Sequence, residues 1–371
     1  MAITILSKPN TPNVTGTSLV YSISSSQVPQ YQFRYIADLY DSGSTDRLAR
    51  FSYPFNSYGT CNISLARPLD DYLDTDYNWK YSRSDYTGGV TSIVTSAKIF
   101  DIKFGEQYGT SYSSSVTSYP ALTTASIKLF KGSVYASETT NGYNWDSGSV
   151  ILSDAPATQS FSNTDYLTST IYNSNASVSY YRTGSLTAKL DYISTGDFTA
   201  IPISPLNVAN YLESDVITLD VTGSSIRYEV DNDCRNEKQR LAFTNKYGFW
   251  DYYSNHTALR KSTNIDRKTY EQPSTRLNER VTNYNSANRG TSQYYTEYTD
   301  VFEFTTDSVT AETSQWLREM FDSTDVFIQS GSNFIPVNIL NNSETIINNT
   351  ARNKNYQYTI KYQYSNIREP R

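Results

Sequence analysis

Between Arg240 and Tyr253 the chain reads Arg-Leu-Ala-Phe-Thr-Asn-Lys-Tyr-Gly-Phe-Trp-Asp-Tyr-Tyr, its densest aromatic run. Leu241 and Phe243 alternate with Ala242 and Thr244. Asn245, Lys246 and Gly248 then supply turn chemistry, and Trp250 and Tyr252 resume a period of two. That pattern predicts a buried hairpin. Two further stretches follow the same rule. Ile226, Tyr228 and Val230 alternate with Arg227 and Glu229, and Tyr356, Tyr358, Ile360, Tyr362 and Tyr364 alternate with Gln357, Thr359, Lys361 and Gln363. Each predicts an antiparallel strand with one wet face. Large aromatics of this kind belong to a core, so function has to be sought elsewhere in the chain.

With 371 residues the chain exceeds one typical core and predicts two or three domains. It holds 34 Tyr against 4 Trp, 2 Met and a single His. Tyrosine buries a wide ring while keeping a hydroxyl for a partner, which suits interfaces that are neither dry nor fully wet, and this favours assembly over catalysis. A net charge of −6 with mixed signs offers no general attraction to nucleic acid. Cys61 and Cys234 are too far apart for a CxxC pattern and are expected to be reduced, structural thiols. No charged n-region followed by an apolar stretch opens the sequence, and no run reaches membrane-spanning length, so a soluble protein made in the cytosol is expected, without membrane insertion.

Taken in order, short apolar runs at Ile3 to Leu6, Leu19 to Ile23, Phe33 to Tyr40 and Leu48 to Phe51 are separated by Pro, Gly, Ser and Asn. Such spacing points to a sandwich and not to βαβ units. Phe33, Tyr35 and Ala37 are expected on one face, Arg34 and Ile36 on the other. Leu65 to Leu73 predicts one or two helical turns, and strand character resumes from Ile99 to Phe104, so a β-sandwich is expected over residues 1–115. Residues 106–125 are mostly Tyr, Ser, Thr and Gly, too polar to bury much without a partner, which places a boundary there. A second, smaller β domain is expected over 116–215, with Asn141-Gly142 as a hairpin turn. Ile201-Pro-Ile-Ser-Pro205 is expected to be an extended connector, because two prolines forbid a regular ladder. The C-terminal β domain, 216–371, carries an amphipathic helix at 310–321, where Trp316, Leu317, Met320 and Phe321 share a stripe and Glu312 lies in the first turn. The fold class is mainly β: two or three sandwich-like domains, with that helix packed on the C-terminal sheet.

Patterns for chemistry are sparse. His256 is the single histidine, which excludes HExxH and leaves a Ser-His-Asp triad no second choice of base; no GxSxG accompanies it. GxGxxG and GxxxxGK[ST] are both absent, so nucleotide chemistry lacks its phosphate cradle. Asp74, Asp76 and Asn78 imitate the first half of a calcium loop, but Trp79 replaces the glycine such a loop requires. No catalytic residue, metal or cofactor is therefore assigned, and the protein is expected not to be an enzyme.

Residues 254–296 are hydrophilic and lack a readable period, and loops that long inside a domain are functional or disordered. Here Arg260, Lys261, Arg267, Lys268, Arg276, Arg280 and Arg289 outnumber Asp266, Glu271 and Glu279 in a chain that is acidic overall. The segment leaves the aromatic hairpin and returns before Val301 to Phe304, so it is expected to be an extended arm anchored at both ends. Arginine forks would pair with carboxylates of an acidic neighbour, with Tyr270, Tyr284, Tyr294 and Tyr295 as ring anchors.

Several stretches together carry a resemblance: Ile3 to Asn10, Leu19 to Ser26, Phe33 to Tyr40, Phe104-Gly-Glu-Gln-Tyr108, Phe243 to Trp250, Trp316-Leu-Arg-Glu-Met320 and Phe334-Ile-Pro-Val-Asn338. They are similar to structural proteins encoded by tailed bacteriophages of Bacteroidota, including marine flavobacterial and crAss-like phages. The resemblance implies a non-enzymatic virion component, tail- or neck-associated, made in the host cytoplasm and assembling with itself and other virion proteins. A receptor- or glycan-binding tail or head fibre, taking a host surface glycan, is the alternative it leaves open.

Overall fold

The computed structural model describes residues 3–74, 91–92, 97–133, 150–162, 165–172, 175–182, 184–192, 198–204, 215–221, 224–231, 238–271, 290–331, 333–341 and 356–365. It is mainly β, and the chain forms two compact units: residues 1–232 with 243–251, and residues 233–242 with 252–371.

The first unit opens with a sandwich. Ile3–Ser7, Val20–Ser25 and Thr60–Ser64 make a three-stranded sheet; Asn13–Val14, Thr117–Phe130, Ala97–Gly109, Tyr31–Asp41 and Arg47–Tyr53 make a five-stranded one. Period-two apolar positions from both sheets share one core: Tyr21, Ile23, Cys61 and Ile63 from one, and Phe33, Tyr35, Ala37, Leu39, Phe100, Ile102 and Phe104 from the other. A short helix, Ala66–Asp70, caps this core with Leu69, within the stretch expected to be helical. The second face of Tyr31–Asp41, where Arg34 and Ile36 were expected, is closed in its middle, though Arg34 is exposed. Ile36 is buried, and Asp38 lies under Arg50, whose Nε and Nη2 donate to it at 2.6 and 2.7 Å. That fork holds the Arg50 guanidinium above its ordinary pKa against the opposing effect of its own burial.

The boundary expected near residue 115 falls inside a hairpin. Ala97–Gly109 pairs antiparallel with Thr117–Phe130 from Tyr108↔Thr117 to Ala97↔Phe130. Ser, Thr and Tyr there are the outward residues of a long ribbon, with Ala125, Ile127 and Leu129 facing in. A four-stranded sheet follows, in the order Val150–Ile151, Leu167–Tyr172, Phe198–Ile203, Thr91–Ser92. The segment expected to be a connector is thus in part a strand: Ile201, Pro202 and Ile203 pair with Ser169, Thr168 and Leu167. Among the described residues Thr91–Ser92 pairs with Thr199 and Ala200 on the other side of that strand.

The expected start of a third domain at residue 216 is also displaced. Val216–Val221 and Ser224–Val230 join Thr158–Phe161, Ala176–Arg182 and Ser185–Tyr192 in a five-stranded sheet of the first unit. The alternation of Ile226, Tyr228 and Val230 is as expected; it is their partners, Ala176–Arg182 through Val216–Val221, that lie far back in the chain. The turn expected at Asn141-Gly142 lies outside the described residues.

In the second unit a seven-stranded sheet runs Trp250–Asn255, Gln239–Thr244, Val326–Ser330, Asn333–Ile339, Thr359–Tyr364, Thr291–Thr305, Leu259–Glu271. Its helix, Ala311–Asp322, begins where Thr310 caps it by accepting from the Thr313 N–H at 3.3 Å, and Glu312 lies in the first turn. Trp316, Leu317 and Met320 are buried. The helix sits on the sheet through Tyr253 against Trp316 at 6.2 Å, Phe321 against Tyr358 at 6.2 Å, and a Ser314 to Tyr358 hydroxyl contact of 2.5 Å.

The expected hairpin is present; its turn and the adjoining stem ends, Phe243–Asp251, belong to the first unit. Asn245 organises the turn, accepting from the N–H groups of Tyr247 and Phe249, both at 3.1 Å, and donating to the Leu152 carbonyl at 2.8 Å. Tyr247 and Phe249 belong to a buried cluster with Val14, Phe130, Leu152, Tyr172 and Ala200. Lys246 pairs with Asp154, and the Ser133 N–H donates to the Lys246 carbonyl at 2.7 Å. The turn is therefore a plug in the first unit's core, not only a reversal of the chain.

Burial pushes the Cys61 thiol from its ordinary 9.0 up to about 11. A raised pKa means that the native state holds the proton more tightly than the unfolded chain, so this contribution is intact below pH 9 and is lost as the pH climbs through about 11. Alkylation at pH 8 should leave the Cys61 peptide unlabelled in the native protein and label it fully after unfolding; native labelling at Cys61 would contradict the packing.

Candidate interaction surface

The stretch without a readable period is a two-stranded ribbon. Leu259–Glu271 pairs antiparallel with Thr291–Thr305, from Leu259↔Phe304 out to Glu271↔Thr291. Among the described residues only Phe302 to Thr305 have a third strand beside them, Thr359–Tyr364. From Ser262 and Val301 outward, ten residues on the first strand, no third strand joins among the described residues. At 3.3 Å per residue the ribbon extends about 30 Å.

Nearly all of Leu259–Glu271 is exposed. That explains the missing period, since a strand that buries neither face has no alternation to write. Pairing still assigns the faces. Lys261, Thr263, Ile265 and Arg267 share one with Phe302, Asp300, Tyr298 and Thr296; Arg260, Asn264, Asp266 and Lys268 share the other with Glu303, Thr299, Glu297 and Tyr295. The register shifts between Lys268 and Thr269, leaving Tyr294 without an opposite residue, and the Tyr294 ring meets Tyr270 at 6.0 Å.

Of the expected contact residues, the structure brings Arg260, Lys261, Arg267, Lys268, Tyr270, Tyr294 and Tyr295 onto this ribbon; Arg276, Arg280, Tyr284 and Arg289 lie outside the described residues. Tyr294, 63 % exposed, and Tyr270 are open to solvent. Tyr295 is partly covered: Lys268 Nζ lies 4.9 Å over its ring, and its hydroxyl donates to Glu297 at 3.0 Å. That hydrogen bond, then burial and the carboxylates of Glu297 and Asp266, hold its phenol above the ordinary range. Ile265 and Tyr298, directly opposite each other and both exposed, were not anticipated. Their signal was the weak alternation Thr296, Tyr298, Asp300, Phe302, legible only once the strand's end is known.

The cationic surplus expected over 254–296 is largely answered within the ribbon. Thr291–Thr305 carries Glu297, Asp300 and Glu303 and no Lys or Arg. Lys261 Nζ is 2.8 Å from Asp300 Oδ2, while Thr263 donates to Asp300 Oδ1 at 2.7 Å. Lys361 pairs with Glu303 at 3.4 Å. Arg260 and Arg267 make no ion pair within the described residues. Among the described residues the ribbon thus offers two open guanidinium forks, four exposed apolar side chains shared between its two strands, and an outer edge with unpaired backbone groups, which together can add a strand or clamp a neighbour.

Among the described residues no group of three His, Cys, Asp or Glu side chains is placed to hold a metal, and no helix is long and apolar enough to cross a membrane. Of the calcium-like pattern only Asp74 is described. No family model matches the chain. No curated protein matches it. Among solved structures it is matched to the crystal structure of the I9-I11 tandem from titin, at 10 % identity and a TM-score of 0.15, over 62 % of this chain and 98 % of that one. A score that low carries no argument, and the architecture rests on the strand pairing described above.

Proposed function

We propose that this chain is a non-enzymatic structural component of a bacteriophage virion, tail- or neck-associated, which joins copies of itself or other virion proteins through the projecting ribbon. One observation carries the assembly part: among the described residues about 30 Å of two-stranded sheet stands without a core while exposing Ile265, Tyr270, Tyr294 and Tyr298. A two-stranded ribbon is marginal in water, and covering those side chains with a neighbour supplies the burial it lacks. The virion setting is supported by the resemblance of the quoted stretches alone. The non-enzymatic part is supported by the sequence, which carries no nucleophile-base or phosphate-cradle pattern.

Gold labelling of this chain in purified particles, viewed by electron microscopy, should place it at the tail or neck in several symmetric copies. Its absence from purified particles by mass spectrometry would overturn the virion assignment.

A further inference from the structure

A different region, at one end of the N-terminal sandwich, has the chemistry of a recognition surface. Three connections meet there: residues 26–30 before Tyr31–Asp41, residues 54–59 after Arg47–Tyr53, and residues 110–116 at the turn of the long hairpin. Strand register brings them together, since Tyr31 pairs with Gly109 and Tyr35 with Tyr53. Direct contacts tie them: the Gln32 side-chain amide donates to the Tyr112 carbonyl at 2.8 Å, Tyr35 Oη donates to the Gly59 carbonyl at 2.7 Å, and Gly59 lies against Val28.

Their composition departs from the rest of the molecule. Ser26 to Gln32, Pro54 to Gly59 and Thr110 to Val116 contain Tyr, Phe, Ser, Thr, Asn, Gln, Pro, Val and Gly and no charged residue, in a chain that is 18 % charged. From this neutral ground four rings project: Tyr58, 88 % exposed, Tyr112, 82 % exposed, Tyr31 and Phe55.

The surface is held in shape. Asn56 Oδ1 accepts from the N–H groups of Tyr58 at 2.9 Å and Thr60 at 3.0 Å, and Asn56 Nδ2 donates to Thr60 Oγ1 at 2.8 Å. Ser114 Oγ accepts from Ser111 N–H at 3.0 Å and donates to the Ser111 carbonyl at 2.8 Å. Ser25 Oγ accepts from Gln27 N–H at 3.0 Å and donates at 2.5 Å to Glu106, a fully buried carboxylate. Beneath the loops Phe33 meets Phe55 edge-on at 5.9 Å and stacks with Tyr108, which stacks in turn with Tyr119 at 5.1 Å.

We propose that this loop end binds a neutral carbohydrate. Exposed rings offer flat apolar faces to the C–H faces of sugar rings, while the surrounding hydroxyl and amide groups both donate and accept as sugar hydroxyls require. The absence of charge decides the partner's class. A protein surface of mixed sign would lose hydration against these loops and find no counter-charge, whereas a neutral glycan has no charge to strip of water. Loops already fixed by their own hydrogen bonds lose little freedom on binding. This inference is independent of the ribbon.

The test uses the full chain on immobilised neutral polysaccharides, an α-mannan and a β-glucan among them, beside alginate and heparin as charged counterparts. The protein should be retained by at least one neutral polysaccharide and by neither charged one. Tyr58→Ala with Tyr112→Ala should weaken that binding by roughly tenfold or more, with unchanged circular dichroism; Tyr294→Ala on the ribbon should leave it intact. Retention by charged polysaccharides only, no retention by a broad neutral set, full binding by the double variant, or a cell-surface ligand destroyed by protease and not by glycosidase would each overturn the proposal.

Discussion

Gly248→Ala should lower the stability of the first unit by roughly 4 kcal/mol, far outside the range of ordinary surface changes. Two effects add. Gly248 has φ +79°, which a side chain rarely adopts, and a Cβ there would fall onto the Lys131 carbonyl. The neighbouring backbone cannot withdraw cheaply, because a Cβ on Gly132 would in turn lie 2.5 Å from the Lys246 carbonyl oxygen, so the two segments are already flush. Gly43 isolates the first effect: its φ is also +79°, yet nothing lies within 4 Å of its Cβ position. Gly43→Ala should therefore cost only about 1 kcal/mol. Calorimetry should show the melting temperature falling by about 10 °C for Gly248→Ala and only a few degrees for Gly43→Ala. Equal effects would mean that the turn does not plug the core.

That turn also shows how much of the fold was legible beforehand. Asn245 and Gly248 announce a reversal through local chemistry, and a hairpin was the correct reading of 240–253. The period-two reading of its stems was incomplete, since Leu241, Ala242 and Phe243 are all fully buried. A strand closed on both faces reads as a plain apolar run, and nothing local says what closes it. The domain limits failed for a related reason. Composition at 106–125 is polar because one face of a long ribbon is wet, and polarity alone does not distinguish such a ribbon from a linker. Val216–Val221 belongs with Ala176–Arg182 through long-range pairing, which no local pattern records. The helix was legible almost to the residue, since first-turn acid and apolar stripe both act within one segment.

The largest functional effect is expected from shortening the ribbon. Ile265 and Tyr298 are directly opposite, so replacing residues 266–297 with Asn-Gly closes the two strands by a short turn while keeping every rung shared with Thr359–Tyr364. None of the described residues in the excised part is buried, so the melting temperature should stay within a few degrees. Self-association or partner binding, by contrast, should weaken by roughly a hundredfold or more, because Tyr270, Tyr294 and the open fork of Arg267 leave together. Sedimentation velocity should find the intact chain in closed oligomers, alone or with its partners, and the shortened chain as a folded monomer.

Competition during assembly tests the central claim most directly. Intact and shortened chains are supplied together while particles form, and both are counted in the purified particles by quantitative mass spectrometry. Assembly through the ribbon predicts particles that contain the intact chain almost to the exclusion of the shortened one. Incorporation of the two in proportion to their supply would contradict it.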